Sequence, residues 1–339
     1  MCVFVLSFFA IKSYSLVPNT KHTNQKTETY DPVPNIMHHI ADAHDWHLWG
    51  EGENSFSIPL PVILFTEGNL DVFMSSKFHH GHATVTKGNR IYSIDSHEHI
   101  HEGSGLSVID ISITKNVASM LISVLLLLLI FFSVARGYSK NKRAPKGLQA
   151  ILEPLILFVK DDIIKENIGP KYEKYIPFLL TVFFFVLINN LMGMLPGSAN
   201  VTGNIAVTFV LSFCTFILTT ISGNKKYWGH IIKPPGVPLV LMPIMVPIEI
   251  IGIFTKPFAL MIRLFANITA GHIIILSLIS LIFIAQSAIG NAGAWGVAPV
   301  SVLFVLFIYC IELLVAFLQA YIFTLLSAVF IGLAVAEDH

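Results

Sequence analysis

Residues 117–135 read VASMLISVLLLLLIFFSVA, nineteen positions from Val117 to Ala135 without a charge. At about 1.5 Å per residue, a helix of that length covers the roughly 30 Å hydrocarbon core of a bilayer. Arg136, Lys140, Lys142, Arg143 and Lys146 follow with no acid among them. A cationic flank of this kind is expected on the cytoplasmic side, which places the preceding residues outside. The whole chain agrees with lipid as its main solvent. It is 54% hydrophobic and 12% charged, against about 25% charged in soluble domains. A formal net charge of zero gives no case for nucleic acid.

Downstream, the mixed stretch from Gly147 carries Glu153, Lys160, Asp161, Asp162 and Lys165 among Ile and Leu. An amphipathic surface helix near 147–168 fits it better than a span. Residues 176–195 form a second span, ended by the breaker Pro196-Gly197, and residues 201–222 a third. The loop 223–236 holds Lys225, Lys226 and Lys233 without an acid, so it is expected in the cytoplasm. Two apolar stretches, 237–289 and 298–336, flank Gly290-Asn291-Ala292-Gly293. The first is long: an unbroken helix of about 50 residues would reach roughly 75 Å. Either it breaks into two spans near Pro257, or it bends, with Pro243, Pro247 and Pro257 as candidate bends. The C-terminus, Glu337-Asp338-His339, is expected on the cytoplasmic side.

Upstream, residues 2–11 are apolar but too short to span, and Ser13-Tyr14-Ser15 follows. Residues 1–15 therefore read as a signal peptide that lacks the usual cationic start. Residues 16–110 are polar and hold 11 of the 14 histidines. Alternation at 83–86 and 90–94 suggests a few strands, so this is an extramembrane domain expected in the periplasm, with residues 111–339 as the membrane domain. Its clusters include His79, His80 and His82, and His97, His99 and His101. In a strand, His-x-His puts two imidazoles on one face, a weak metal-ligand pattern beside the plainer reading of a solvated surface. Cys2, Cys214 and Cys310 lack metal or disulfide spacing, and the latter two read as buried small hydrophobes. The expected class is an all-α polytopic membrane protein of five to six membrane helices, with a small N-terminal extramembrane domain containing some strands.

Within 237–335 the formal charges are Glu249, Lys256, Arg263 and Glu312, joined by the titratable His272. Each charge at a bilayer centre costs about 2.5–3.5 kcal/mol or more, so such groups pair up or line a pathway. Glu249, Lys256 and Arg263 are spaced by seven, and Asn267 follows Arg263 by four, which gives one helical stripe. Glu312 and Gln319 are also seven apart. His272, nine after Arg263, falls about 180° around the helix, and a contact with Glu312 is open to it. Plainer roles stand beside these: Lys256 snorkelling, Glu249 pairing with Lys256, His272 as an interior histidine, Asn267 and Gln319 as interhelical glue. Arg263 is the hardest to dismiss, because burial cannot neutralise it. A fixed cation among titratable groups suggests proton handling.

The run Arg263-Leu264-Phe265-Ala266-Asn267-Ile268-Thr269-Ala270-Gly271-His272 resembles the Arg-Leu-Phe-x-Asn-x-x-Ala-Gly signature of subunit a of rotary F-type ATP synthases. Glu249 with Thr255-Lys256-Pro257, and Glu312 with Leu318-Gln319-Ala320-Tyr321-Ile322-Phe323, stand at that family's spacings. Leu187-Ile188-Asn189-Asn190-Leu191 and Leu195-Pro196-Gly197 fit as well. The resemblance covers about Leu148 to the C-terminus. It implies a proton-translocating stator in the bacterial inner membrane, without catalytic chemistry or a cofactor of its own. Its partners would be a ring of proteolipid c-type subunits, peripheral-stalk b-type subunits and the rest of the complex. The last two helices would be a long, tilted hairpin against the ring, with Arg263 meeting the ring carboxylate. Asn267, His272, Glu312 and Gln319 would line the outer half-channel, and Glu249, with Thr255 and Lys256 nearby, the inner one. Many bacterial members carry an acid at the position of His272 and a histidine at that of Glu312; here the two are exchanged, as in mitochondrial members. The N-terminal extension is similar to that of some Bacteroidetes-type members. A secondary cation or metal transporter with a His-rich outer domain is the rival reading, although no internal repeat supports it.

Overall fold

The computed structural model describes residues 32–33, 42–49, 56–78, 83–95, 98–140, 147–195, 198–232, 238 and 241–336. The signal-like start, His79, His80, His82, His97 and residues 337–339 lie outside them. Five of the described helices are long and apolar enough to cross a membrane.

The N-terminal part contains strands β1 (Asp45–Trp49), β2 (Phe56–Pro59), β3 (Pro61–Thr66), β4 (Asn69–Met74), β5 (Val85–Lys87), β6 (Arg90–Ile94), β7 (Ile100–Glu102) and β8 (Ile109–Asp110). They form a β1-β2 hairpin and two three-stranded antiparallel sheets, β4-β3-β8 and β5-β6-β7. Alternate side chains point to opposite faces of a strand, so Val62, Leu64 and Phe73 of one sheet meet Val85, Tyr92 and Ile100 of the other in a small core.

Helix α1 (Lys115–Lys140) begins four residues after Ile111. Its start is held by a distant segment: Asp42 accepts from the Asn116 amide (3.2 Å) and the Thr114 hydroxyl (2.9 Å). The Ala43 carbonyl accepts from the Lys115 amide at 2.9 Å. These are groups that a helix N-terminus leaves without intrahelical partners.

Helix α2 (Leu148–Leu157) continues into a π-helical stretch, Phe158–Lys165, and a turn, Glu166–Ile168. Val159, Ile163, Ile164 and Ile168 are buried, and their spacing of four to five suits the wider π turn. Their apolar side packs into the main core of the protein. Approach to the last helix is so close that a Cβ on Gly332 would clash with the Asn167 carbonyl oxygen.

Helices α3 (Ile176–Gly193), α4 (Ile205–Ser222), α5 (Lys225–Ile232), α6 (Met242–Ile289) and α7 (Asn291–Val335) complete the chain. Helix α6 runs continuously through Pro247 and Pro257 for 48 residues, so the long apolar stretch does not divide into two spans. At about 1.5 Å per residue, α6 and α7 measure roughly 70 Å each, more than twice the hydrocarbon thickness, and neither can stand upright across it. Gly290 joins them at φ 75°, ψ −163°, a conformation essentially confined to glycine. At the far end, Asn224 donates from its amide to the Ala334 carbonyl and from its side chain to that of Val335, both at 2.9 Å. Cys214 and Cys310 lie on exposed faces, unlike the buried positions expected of them, because an apolar helix run has the same composition on its outer and inner sides.

Candidate functional site

Helix α6 sorts its residues by face. Leu260, Leu264 and Ile268 are buried at intervals of four, and His272 continues that stripe into a half-buried position. Arg263 and Asn267 lie on the exposed side. Among the described residues, Arg263 forms no ion pair or hydrogen bond with the chain.

His272 meets Glu312 of α7, with Nδ1 2.9 Å from Oε1. Its Nε2 is 3.0 Å from the Gly193 carbonyl at the end of α3. A carbonyl oxygen only accepts, so Nε2 carries the hydrogen. In the neutral imidazole, Nδ1 then holds a lone pair facing a carboxyl oxygen, and the contact is attractive only when a proton lies on one partner. Such a contact can hold a proton between two helices. Among the described residues neither oxygen of Glu312 accepts a hydrogen bond, although the residue is buried. Space for this carboxyl group depends on Gly271, where a Cβ would come within 2.7 Å of Oε1. Gln319, two turns further along α7, is also buried.

Other polar groups hold this arrangement in place. Buried Asn190 donates to the Ala316 carbonyl of α7 (3.0 Å) and accepts from the Thr202 hydroxyl (2.7 Å). The Tyr309 hydroxyl donates to the Met194 carbonyl.

Residues 117–332 match the family described as ATP synthase A chain. Residues 35–116 match a domain of unknown function. A Chloroherpeton thalassium protein named ATP synthase subunit a is 49% identical over 262 residues, covering 73% of this chain and 76% of the relative. Relatives of the same name from Chlorobium phaeobacteroides and Myxococcus xanthus are 51% and 47% identical, covering 68% and 71% of this chain and 68% and 80% of their own lengths. The chain belongs to the ATP synthase A chain family.

Family membership directs attention to both sides of Arg263. About 21 Å along the helix axis toward the start of α6 stands Glu249, and about 10 Å along stands Lys256. They form no ion pair with each other among the described residues. The Lys256 ammonium lies 5.4 Å from the Phe330 ring centroid on α7, and exposed Thr255 returns its hydroxyl to the Gly252 carbonyl at 2.9 Å. Beside them a cavity opens between α4, α5, α6 and α7, lined by Ser212, Thr215, Thr219, Thr220, Tyr227 and Lys256 among apolar side chains. Burial pushes the Tyr227 phenol above its usual pKa, and the charge of neighbouring Glu249 adds to this.

The structure therefore unites His272 with Glu312 and leaves Glu249 and Lys256 in a separate region. The sequence reading gave no role to Thr202, Tyr309 or the hydroxyl stripe Thr208, Ser212, Thr215 and Thr219, and met Asn190 only within the family-like run 187–191. Only the stripe left a periodic signal, at spacings of four, three and four. Of the histidines suggested as weak metal ligands, His99 is exposed and His101 pairs with Asp95 at 3.1 Å. No metal-holding cluster occurs among the described residues.

Proposed function

We propose that this chain is the proton-translocating stator subunit of an F-type ATP synthase membrane sector, with Arg263 dividing two half-paths for protons. The observation that carries the reading is the position of Arg263. It is a permanent cation on an exposed, largely apolar helix face that it shares with Asn267, unpaired among the described residues, between the His272–Glu312 pair and the hydroxyl-lined region near Glu249. A charge so placed favours the ionised form of a carboxylate on a facing partner. That partner is a ring of c-type proteolipid subunits, each carrying one acid, and b-type subunits complete the stator.

A proton passes along the outer half-path by Gln319, Glu312, His272 and Asn267 and neutralises a ring carboxylate, which then moves into lipid. After nearly a full turn the acid comes to the inner half-path, near Glu249, Thr255 and Lys256. It releases its proton there, because the neighbouring guanidinium stabilises the carboxylate. Arg263 cannot take up or release that proton, so it blocks direct leakage between the two paths. The chain forms and breaks no covalent bond other than those to the proton. The setting is the bacterial inner membrane, with the N-terminal domain in the periplasm and the C-terminus in the cytoplasm.

Arg263→Ala in the reconstituted complex is expected to reduce ATP-driven proton pumping to background while the subunit still assembles. Pumping at the wild-type rate would overturn the reading.

A further inference from the structure

The two sheets of the N-terminal domain turn very different outer faces away from their shared core. On β5-β6-β7 the outward positions are Thr86, Ile91, Ser93 and His101, with Ile91 the single large apolar side chain. On β4-β3-β8 they are Ile63, Phe65, Leu70, Val72, Met74 and Ile109, with no charge among them, and Ile111 continues the row. Leu70 and Ile111 are 61% and 60% exposed. A small domain does not leave an uncharged apolar row of this size facing water without a use.

We propose that this face rests on the lipid bilayer, as a membrane-surface contact of the N-terminal domain. Covalent and hydrogen-bonded continuity with the membrane helix selects lipid as the occupant. Sheet pairing does not stop at β8: the Ile111 amide donates to the Ile63 carbonyl (2.9 Å) and the Ile113 amide to the Pro61 carbonyl (3.1 Å). The next hydrogen bonds, from Lys115 and Asn116, already belong to the start of α1. Four residues of extended chain reach at most about 14 Å. The apolar row is thus tied, without a free linker, close to where α1 meets the interface, and the apolar surface of α1 continues it through exposed Leu121 and Ile122.

Charge is distributed to match. Pro61 and Met74 pair at the end of the sheet nearest α1, and exposed Lys77 follows Met74 after two serines. A lysine bordering an apolar face places its ammonium at the level of lipid phosphates. The opposite end of the hairpin, at Glu67-Gly68-Asn69, is polar and exposed. Burying such a face in the headgroup and acyl boundary is the mode of interfacial proteins that lie on a membrane without crossing it.

The test uses the full chain in vesicles of mixed zwitterionic and anionic phospholipid, with Cys2, Cys214 and Cys310 replaced by serine and retained pumping of the assembled complex as the check on folding. Nitroxide labels are placed singly at Leu70, Val72 and Ile111, at Thr86 and Ser93 on the other sheet, and at Leu125 on α1. At Leu70, Val72 and Ile111 relaxation is expected to shift from nickel-chelate-dominated, as at Thr86 and Ser93, to oxygen-dominated, as within lipid. Nickel-dominated relaxation at all three would overturn the proposal. Protection that develops only when the other subunits of the complex are added would overturn it too, in favour of a protein partner. The proposal rests on α1 crossing the bilayer, which the label at Leu125 reports independently.

Discussion

Two of the histidine–carboxylate pairs among the described residues differ sharply in their surroundings. His44 and Asp110 meet at 2.7 Å in the N-terminal domain. His272 and Glu312 approach to 2.9 Å between membrane helices. The first pair is embedded in local structure: Asp110 also accepts from the Ser112 amide at 2.8 Å, and Glu98 stands 4.0 Å from the other ring nitrogen. Burial lowers the affinity of His44 for a proton, but the hydrogen bond to Asp110 and the negative charges of Asp110 and Glu98 outweigh it and raise the pKa to about 9. This pair stays charged and clamps the strand beside α1. In the second pair the carboxyl oxygens have no hydrogen-bond donor among the described residues, although a buried carboxylate ordinarily takes several hydrogen bonds. A group left that open suits a proton that comes and goes. On the proposed reading, the same two functional groups serve as a fastener or as a relay according to how many other donors surround the acid.

The largest expected contrast lies between removing one acid and removing the other. Glu312→Gln should slow proton conduction through the reconstituted complex tenfold or more, about 1.4 kcal/mol or above in the barrier. Asp110→Asn should leave conduction within about twofold, because its partner is not on the path. Equal effects of the two variants would erase the distinction.

Next comes the exchange of partners. His272→Glu combined with Glu312→His should recover much of the conduction lost in either single variant, with a coupling of about 0.5–3 kcal/mol for groups in contact. Additive losses would mean that the two residues act separately. Gly271→Ala probes the same contact by crowding, since its Cβ would stand 2.7 Å from Oε1 of Glu312. It should reduce conduction less than Glu312→Gln and leave assembly intact, as measured by co-purification of the complex.

The smallest effect belongs to the clamp and is read by pH. The folded-state pKa of His44 is raised, so its contribution is complete below about 6.5 and is lost as pH rises through about 9. The pKa of Asp110 is lowered: burial alone would raise it, but the bonds from His44 and Ser112 prevail. Its contribution is present above about 4 and is lost as pH falls further. Amide-exchange protection at Lys115 and Asn116 should therefore be greatest between about pH 4 and 6.5 and weaken toward pH 9. His44→Ala should abolish that dependence, and a dependence that persisted would remove the pair from the clamp.

Arg263 shows what the sequence by itself determined. A charge that no environment neutralises, inside an apolar run long enough to cross lipid, is legible because both length and charge are local properties. The membrane class and the spacing by sevens follow from the same counting, whereas the choice between one long helix and two spans over 237–289 did not. Tertiary structure decided the rest. Periodicity placed His272 opposite Arg263, but only the packing of α6 on α7 and α3 brought it to Glu312 and the Gly193 carbonyl. Asn190 stood in a family-like run, but its contact could not be read there, because its bond to the Ala316 carbonyl spans 126 residues. Nor could composition tell the outer face of a membrane helix from its inner one, as Cys214 and Cys310 show. Lipid and protein interior select the same apolar side chains, so the side on which a residue lies is settled only when the helices meet.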